Sequence, residues 1–382
     1  MNSSLLSMVT WIAVGLLGLI NGSFLNAVIH RLPRGISLLH PKRSFCPGCG
    51  KMIPWHENLP VASWVLLQGR CSGCEMPISI RYPLVELLTG GLYLLAYARF
   101  GLPLAPVFWL FLSLLVAATF IDFDHLIIPD EITKGGVIAG LLCSLLVPGM
   151  MGRVAWWQGL MLSLTGAALG FFLLWGVVEL GKLAFGRRRI RTEVPTLLEI
   201  TGSDAEPLLI FGEERIPLAD LFYREKDQVE APCAWLEIDG ERLHGLEGDS
   251  LMLNPRGVIF GSRSWGYEGI SELMPLRTEV TSITLPREAM GFGDVKFLAC
   301  IGAFLGWKGV LFSLFAGSIV GALIGIMMMA VTRGRSGGRI PFGPYLALGA
   351  LLWVFVGSEC LDFYANCVTG GGFFLLLHQS SM

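Results

Sequence analysis

Eight apolar runs, most of them near the length a helix needs to cross a hydrocarbon core, leave this chain few architectures. They occupy residues 4–29, 84–100, 103–121, 132–150, 155–185, 294–306, 309–331 and 341–357. A crossing helix takes about 20 predominantly apolar residues. Lipid offers the backbone no hydrogen-bond partners, so runs of this kind fold as helices that satisfy themselves. Only 15% of the 382 residues are charged, against about 25% in an ordinary soluble domain. The mean hydropathy is +0.62. An ordinary soluble protein is excluded, and a multi-pass membrane protein is expected. No charged segment precedes the first run, so no cleaved signal peptide is expected. Asn21-Gly22-Ser23 and Asn26 interrupt that run. Small and polar residues inside a span face protein rather than lipid.

The polar stretches set the domain plan. Residues 1–29 form the first span, 30–83 a polar segment, 84–185 spans two to five, 186–286 a long polar insertion, and 287–382 the last three spans with an apolar tail. The insertion holds short alternating runs, Leu208-Leu209-Ile210-Phe211 and Trp235-Leu236-Glu237-Ile238, the second followed by the turn pair Asp239-Gly240. That pattern predicts a small β-rich soluble domain. Orientation follows the lysine and arginine bias. Arg31, Arg34, Lys42, Arg43, Lys51, Arg70 and Arg81 lie in or beside the polar segment, Arg187, Arg188, Arg189 and Arg191 open the insertion, and Arg333, Arg335 and Arg339 precede the last span. With eight spans, all three basic stretches fall on the cytoplasmic side and both chain ends outside. Arg153 and Lys308 are exceptions to the bias.

Two acids then share one depth although they are far apart in the chain. Asp122 closes the third span within Asp122-Phe123-Asp124-His125-Leu126-Ile127-Ile128-Pro129-Asp130. Asp294 opens the sixth within Gly291-Phe292-Gly293-Asp294-Val295-Lys296. Ionisable groups at membrane depth are costly and mark sites. Two neighbouring carboxylates share a proton, so one can take a proton from water while the other donates to a peptide carbonyl. That chemistry is aspartic proteolysis, here placed at the end of a hydrophobic helix. Asp130 is expected to cap the fourth helix, since Pro129 turns the chain just before it. The bland alternative leaves these acids in interfacial water. Ile340-Pro341-Phe342-Gly343-Pro344-Tyr345 is read either as a turn into the last span or as a lining of the site. Glu86 and Glu179, inside apolar runs, are read as satisfied acids rather than catalysts.

Cys46, Cys49, Cys71 and Cys74 form two CxxC pairs in the polar segment. This spacing fits a tetrahedral four-thiolate zinc site with no open position, hence a structural zinc. The alternative is a pair of redox dithiols. The expected fold is therefore an all-α polytopic membrane protein of about eight transmembrane helices, with a small cytoplasmic zinc-binding segment and a β-rich soluble insertion.

The chain resembles the bacterial type IV prepilin peptidases, bifunctional leader peptidases and N-methyltransferases of type IV pilus and type II secretion systems. The resemblance rests on Gly22-Ser23-Phe24-Leu25-Asn26 with Arg31-Leu32-Pro33, both CxxC pairs, Trp64 and Arg70. It continues through Ile78 to Pro83, Glu86, Asp122 to Asp130, Met290 to Lys296 and Pro341 to Pro344. It implies that Asp122 and Asp294 are the catalytic aspartates, with Asp124, Asp130, Gly291, Gly293 and Lys296 supporting them. It further implies prepilin or pseudopilin substrates, cleavage of a basic leader at the cytoplasmic face, and partners in the pilus or secretion machinery and in membrane lipid. Nucleic acid is not an expected partner. The implied location is the bacterial cytoplasmic (inner) membrane. Methylation of the new N-terminus from S-adenosylmethionine enters by resemblance alone, and no methyl-transfer residue is assigned.

The insertion departs from the family pattern by its length. It leads directly into Gly291-Phe292-Gly293-Asp294 and carries more acids than bases, so it can recruit a basic leader or be a passive accessory. Two other functions stay open: a peptidase without methyl transfer, and a membrane transporter or scaffold with a zinc ribbon.

Overall fold

The computed structural model describes residues 3–369 apart from 41–43, 186, 202–207, 213, 219–220, 223–226, 239, 246–248, 267–274, 287–290 and 332–340. Lys42, Arg43, Asp239, Met290, Arg333, Arg335, Arg339 and Ile340 thus lie outside the described residues. The chain divides into two compact units, residues 1–175 with 291–382 and residues 176–290.

The helices are α1 (Ser3–Arg31), α2 (Ala62–Leu66), α3 (Arg81–His125), α4 (Asp130–Leu146), α5 (Trp156–Phe185), α6 (Phe292–Val331) and α7 (Gly343–Thr369). Five of them, α1, α3, α5, α6 and α7, carry stretches long and apolar enough to cross a membrane. The 17-residue α4 is shorter. Two of the five hold a break. In α3 Gly101 has φ 65° and ψ 174°, and in α6 Gly306 has φ 69° and ψ −176°. Only glycine takes that backbone without strain. The α3 break folds the helix back on itself. The Tyr93 hydroxyl bonds that of Ser113 at 3.0 Å, Phe100 stacks on Phe108 at 3.9 Å, and Arg81 at the start reaches Asp124 at the end. Two apolar runs, 84–100 and 103–121, are therefore antiparallel arms of one hairpin. The last helix continues to Thr369, past Glu359, where the sequence offered no clear assignment.

α1 packs along α3, and its polar interruptions face protein. The Asn26 amide donates to the Tyr82 carbonyl at 3.0 Å, and the Ser113 hydroxyl donates to Asn21 Oδ1 at 3.0 Å. Each bond satisfies a group that lipid would leave bare.

The second unit contains a ten-stranded sheet of antiparallel pairs, with the path β3-β2-β1-β10-β4-β7-β8-β9 and β5 pairing with β10 and β6. Its long strands are β1 (Arg187–Thr201) and β10 (Leu276–Pro286). The short ones are β2 (Leu208–Phe211), β3 (Glu214–Pro217), β4 (Val229–Pro232), β5 (Trp235–Ile238), β6 (Glu241–His244), β7 (Ser250–Asn254), β8 (Gly257–Phe260) and β9 (Arg263–Gly266). Both runs read as strands from the sequence are strands, β2 and β5. Along β10, Leu276, Thr278 and Val280 are buried while Arg277, Glu279 and Thr281 are exposed, the period-two pattern of a sheet with one covered face. Leu198, Ile200, Leu209, Leu236, Leu251 and Ile283 belong to its core. β1 and β10 pair with Arg187 opposite Pro286, so the two ends of the insertion meet.

Candidate active site

Three helix ends converge around the two acids. Asp122 lies in the last turn of α3, where Leu126, at φ 55°, donates its N–H to the Asp122 carbonyl at 3.0 Å and ends the helix. Asp294 lies in the first turn of α6, its N–H bonded to the Gly291 carbonyl at 3.2 Å. Both side chains belong to nearly buried residues, 4% and 9% exposed. The two carboxylates are near enough to act on each other electrostatically.

The third end is the start of α7. The first N–H groups of a helix have no partner inside it. Gly343 donates its N–H to Asp122 Oδ2 at 3.0 Å. A Cβ on Gly343 would stand 2.6 Å from that oxygen and 2.9 Å from Ile128 Cδ1, so a side chain here would displace the Asp122 carboxylate or Ile128. Ile128, from the loop between α3 and α4, also packs against Gly293, where a Cβ would come within 3.4 Å of its backbone nitrogen. A Cβ on Gly291 would have Asp294 Oδ2 at 3.8 Å. Within the described part of the Ile340–Tyr345 stretch, Gly343 both begins α7 and donates to Asp122, so the turn into the last helix and the lining of the acids hold together.

Of the remaining acids of the first motif, Asp130 does something other than cap α4. Asp130 is the first residue of α4 and not its cap; Pro129 holds the cap position and makes no side-chain bond there. The Asp130 carboxylate bonds Lys296 of α6 at 2.5 Å and Lys134 at 2.6 Å. It therefore ties α4 to the helix that carries Asp294. Asp124 is exposed and pairs with Arg81, closing the α3 hairpin. Sequence reasoning missed Gly343 as a donor and Ile128 as a spacer. Only the glycine between Phe342 and Pro344 hinted at the first.

Glu86 is satisfied as expected, but by an unforeseen partner. Its Oε2 accepts the Val61 N–H at 2.7 Å, and the Ser23 hydroxyl also bonds it. Glu179 is partly buried and also engaged.

The four cysteines of the polar segment form one cluster, with Sγ atoms all within 4.8 Å of one another. Cys46 Sγ is 3.7 Å from Cys74 Sγ, and Cys49 Sγ is 4.0 Å from Cys71 Sγ. A tetrahedral thiolate site with Zn–S near 2.3 Å sets sulfurs about 3.8 Å apart, whereas a disulfide needs about 2.0 Å. The two knuckles repeat one backbone pattern. Cys46 donates its N–H to Lys51 O and Cys71 donates its own to Met76 O, each at 2.9 Å, and bridges join Phe45 to Met52 and Arg70 to Pro77. The cluster can hold a metal ion.

Comparison with known proteins places these features in a family. Residues 16–100 match the bacterial peptidase A24 N-terminal domain, and residues 109–188 and 273–326 match the type IV leader peptidase family. The insertion falls largely between the two parts of the second match. A prepilin leader peptidase/N-methyltransferase of Aeromonas hydrophila is 30% identical over 372 residues, covering 89% of each chain. One of Pseudomonas aeruginosa is 28% identical over 365 residues, covering 88% of each. One of Myxococcus xanthus is 43% identical over 189 residues, about half of each chain: 49% of this one and 53% of that one. No solved structure matches significantly.

Proposed function

The chain belongs to the type IV prepilin leader peptidase/N-methyltransferase family, and from that premise we propose that Asp122 and Asp294 are its peptidase pair. The observation that carries this reading is the convergence of α3, α6 and α7 on two buried acids, with Gly343 N–H on Asp122. One carboxylate, ionised, takes a proton from water as it attacks the scissile carbonyl. The other, protonated, donates to the carbonyl oxygen. The positive ends of α6 and α7 favour negative charge where the oxyanion develops. Asp130–Lys296 and Arg81–Asp124 hold the helices that carry the acids in register.

The substrate class is a prepilin or pseudopilin with a basic leader, cut where the leader meets its hydrophobic helix. We propose eight crossings: the two arms of α3, the two of α6, and α1, α4, α5 and α7. The lysine and arginine bias puts the acids toward the cytoplasm of a bacterial inner membrane, beside pilus or type II secretion machinery. The four-cysteine segment and the insertion then lie on that same side. Zinc suits the four thiolates and has a structural role there, since four protein ligands fill a tetrahedron. S-adenosylmethionine supplies the methyl group for the new N-terminus.

The test is incubation of the solubilised protein with a prepilin. A shortened product is expected, heavier by one methyl group when the donor is added. Asp122→Asn and Asp294→Asn are each expected to abolish cleavage without loss of expression. Undiminished cleavage by either variant refutes the assignment, and a wild type that yields no product favours a transporter or scaffold.

A further inference from the structure

A cavity of about 380 Å³ lies where three turns of the chain meet: the Gly101 bend of α3, the 3-10 turn Pro148–Met151 after α4, and the Gly306 bend of α6. The turns pack closely. A Cβ on Gly149 would come within 3.4 Å of Leu104, and one on Gly306 within 3.7 Å of the Met151 sulfur. At 1.5 Å per residue, the helical runs from Gly306 back to Asp294 and from Gly101 on to Asp122 separate the cavity from the acids by about 18–32 Å. A hydrocarbon core is about 30 Å thick. The acids stand at one end of these helices and the cavity toward the other.

The wall is of two kinds. Phe100, Phe108, Met151, Leu162 and Phe304 make one part of it apolar, and Arg99, Arg153 and Lys308 make the other cationic. Arg99 is matched, since its guanidinium pairs with Glu359, which the Ser358 hydroxyl also bonds at 2.9 Å. Arg153 and Lys308 are exposed and pair with no described acid; Lys308 Nζ lies 5.8 Å from the Trp307 ring centre. These are the same two residues that depart from the lysine and arginine bias, so orientation does not account for them. Exposed tryptophans mark the level of the cavity. Trp11, which meets Tyr97 edge-on at 4.8 Å, Trp156 and Trp157 at the start of α5, and Trp307 all lie at this end of the helices. Tryptophan on the outside of a membrane protein collects at headgroup depth.

We infer that this cavity binds an anionic phospholipid, its phosphate on Arg153 and Lys308 and the start of an acyl chain against the apolar wall. On the proposed crossings the lipid belongs to the outer leaflet, across the membrane from the peptidase pair. Arginine and lysine both bind phosphate, arginine through a two-pronged fork. A free phosphate makes no use of the apolar wall. A zwitterionic headgroup brings its own ammonium to a site that already holds two unmatched cations, whereas a glycerol headgroup brings none. A lipid seated here touches all three turns, so it clamps the bends of α3 and α6 to the turn between α4 and α5. Its effect is on stability, because the acids lie beyond the reach of a headgroup. A ligand that binds only the folded state stabilises it in proportion to its occupancy.

Lipid binding by the full-length protein in detergent, after removal of its own lipid, tests this by native mass spectrometry and thermal melting. Phosphatidylglycerol is expected to bind and to raise the melting midpoint as its concentration rises; phosphatidylcholine is expected to do neither. The double variant Arg153→Gln with Lys308→Gln is expected to bind phosphatidylglycerol about tenfold or more weakly and to lose most of the rise. Both side chains are exposed and have no described acid partner, so the variant is expected to fold, with leader cleavage as the check. Glycerol 3-phosphate, the headgroup chemistry without chains, is expected to leave the midpoint unmoved at millimolar concentration; a rise equal to that from the lipid overturns the inference and leaves a soluble-anion site. A wild type that holds no phosphatidylglycerol overturns it, as do equal binding by wild type and double variant and equal stabilisation by phosphatidylcholine. A raised KM for prepilin in the double variant with lipid binding intact also overturns it and gives the cavity to the substrate.

Discussion

Adding one carbon at Gly343 tests the site with a change too small to alter charge or topology. In Gly343→Ala the new Cβ would lie 2.6 Å from Asp122 Oδ2 and 3.3 Å from its Cγ. Such a contact cannot persist, so the carboxylate swings away or the start of α7 withdraws. Either motion breaks the 3.0 Å bond from Gly343 N–H to Asp122. A hydrogen bond to a charged group contributes about 1.5–3 kcal/mol, so cleavage is expected to fall about 10- to 150-fold in kcat/KM. Misplacing a catalytic group by about 1 Å gives a loss of about 10²-fold, within the same range. The assay is leader removal from a purified prepilin in detergent, followed by gel mobility, with a thermal melt in parallel. Overpacking of this size costs about 1–3 kcal/mol, so a small drop in the melting midpoint is expected. Gly135→Ala is the control, because a Cβ there meets nothing within 4 Å. Gly343→Ala cleaving at the wild-type rate refutes the reasoning.

Three further outcomes follow from the same geometry. Lys296→Met removes the bridge from α6 to Asp130, whose partners are 24% and 45% exposed. Exposure limits the stability loss to about 1 kcal/mol, with a fall in kcat/KM smaller than that of Asp294→Asn, read by melting and by cleavage; equal losses in the two variants would place Lys296 in the chemistry itself. Cys46→Ser, or a strong chelator, is expected to lower bound zinc and make residues 44–80 sensitive to protease; full protection without metal would contradict a structural zinc. Excising residues 187–286 behind a short linker is expected to leave leader cleavage intact, because Arg187 and Pro286 are paired neighbours; a raised KM for prepilin would instead support recruitment by the insertion.

Much of the architecture was legible because it is written in local pattern. Apolar runs gave the helices, and alternation at Leu208–Phe211 and Trp235–Ile238 gave strands. Equal CxxC spacing gave the sulfur cluster. What escaped the sequence was non-local. Asp130 looked like a cap because a proline preceded it, yet its partner Lys296 lies 166 residues away. Gly343 donates through its backbone, and a backbone N–H leaves no mark in side-chain chemistry. The partner of Glu86 is likewise the N–H of Val61, a residue whose apolar side chain says nothing of a left-handed backbone. The acids themselves could be picked out because the count of apolar runs assigned two of them to one depth; that a glycine amide would aim at Asp122 required the fold.

The most direct measurement is the rate of leader cleavage by Asp122→Asn, Asp294→Asn and the variant carrying both changes. Two acids that activate water jointly are expected to give the same background rate in all three, because losses within one catalytic unit do not add. Independent losses that multiply in the double variant, or a single variant that retains most of its rate, would contradict a shared site.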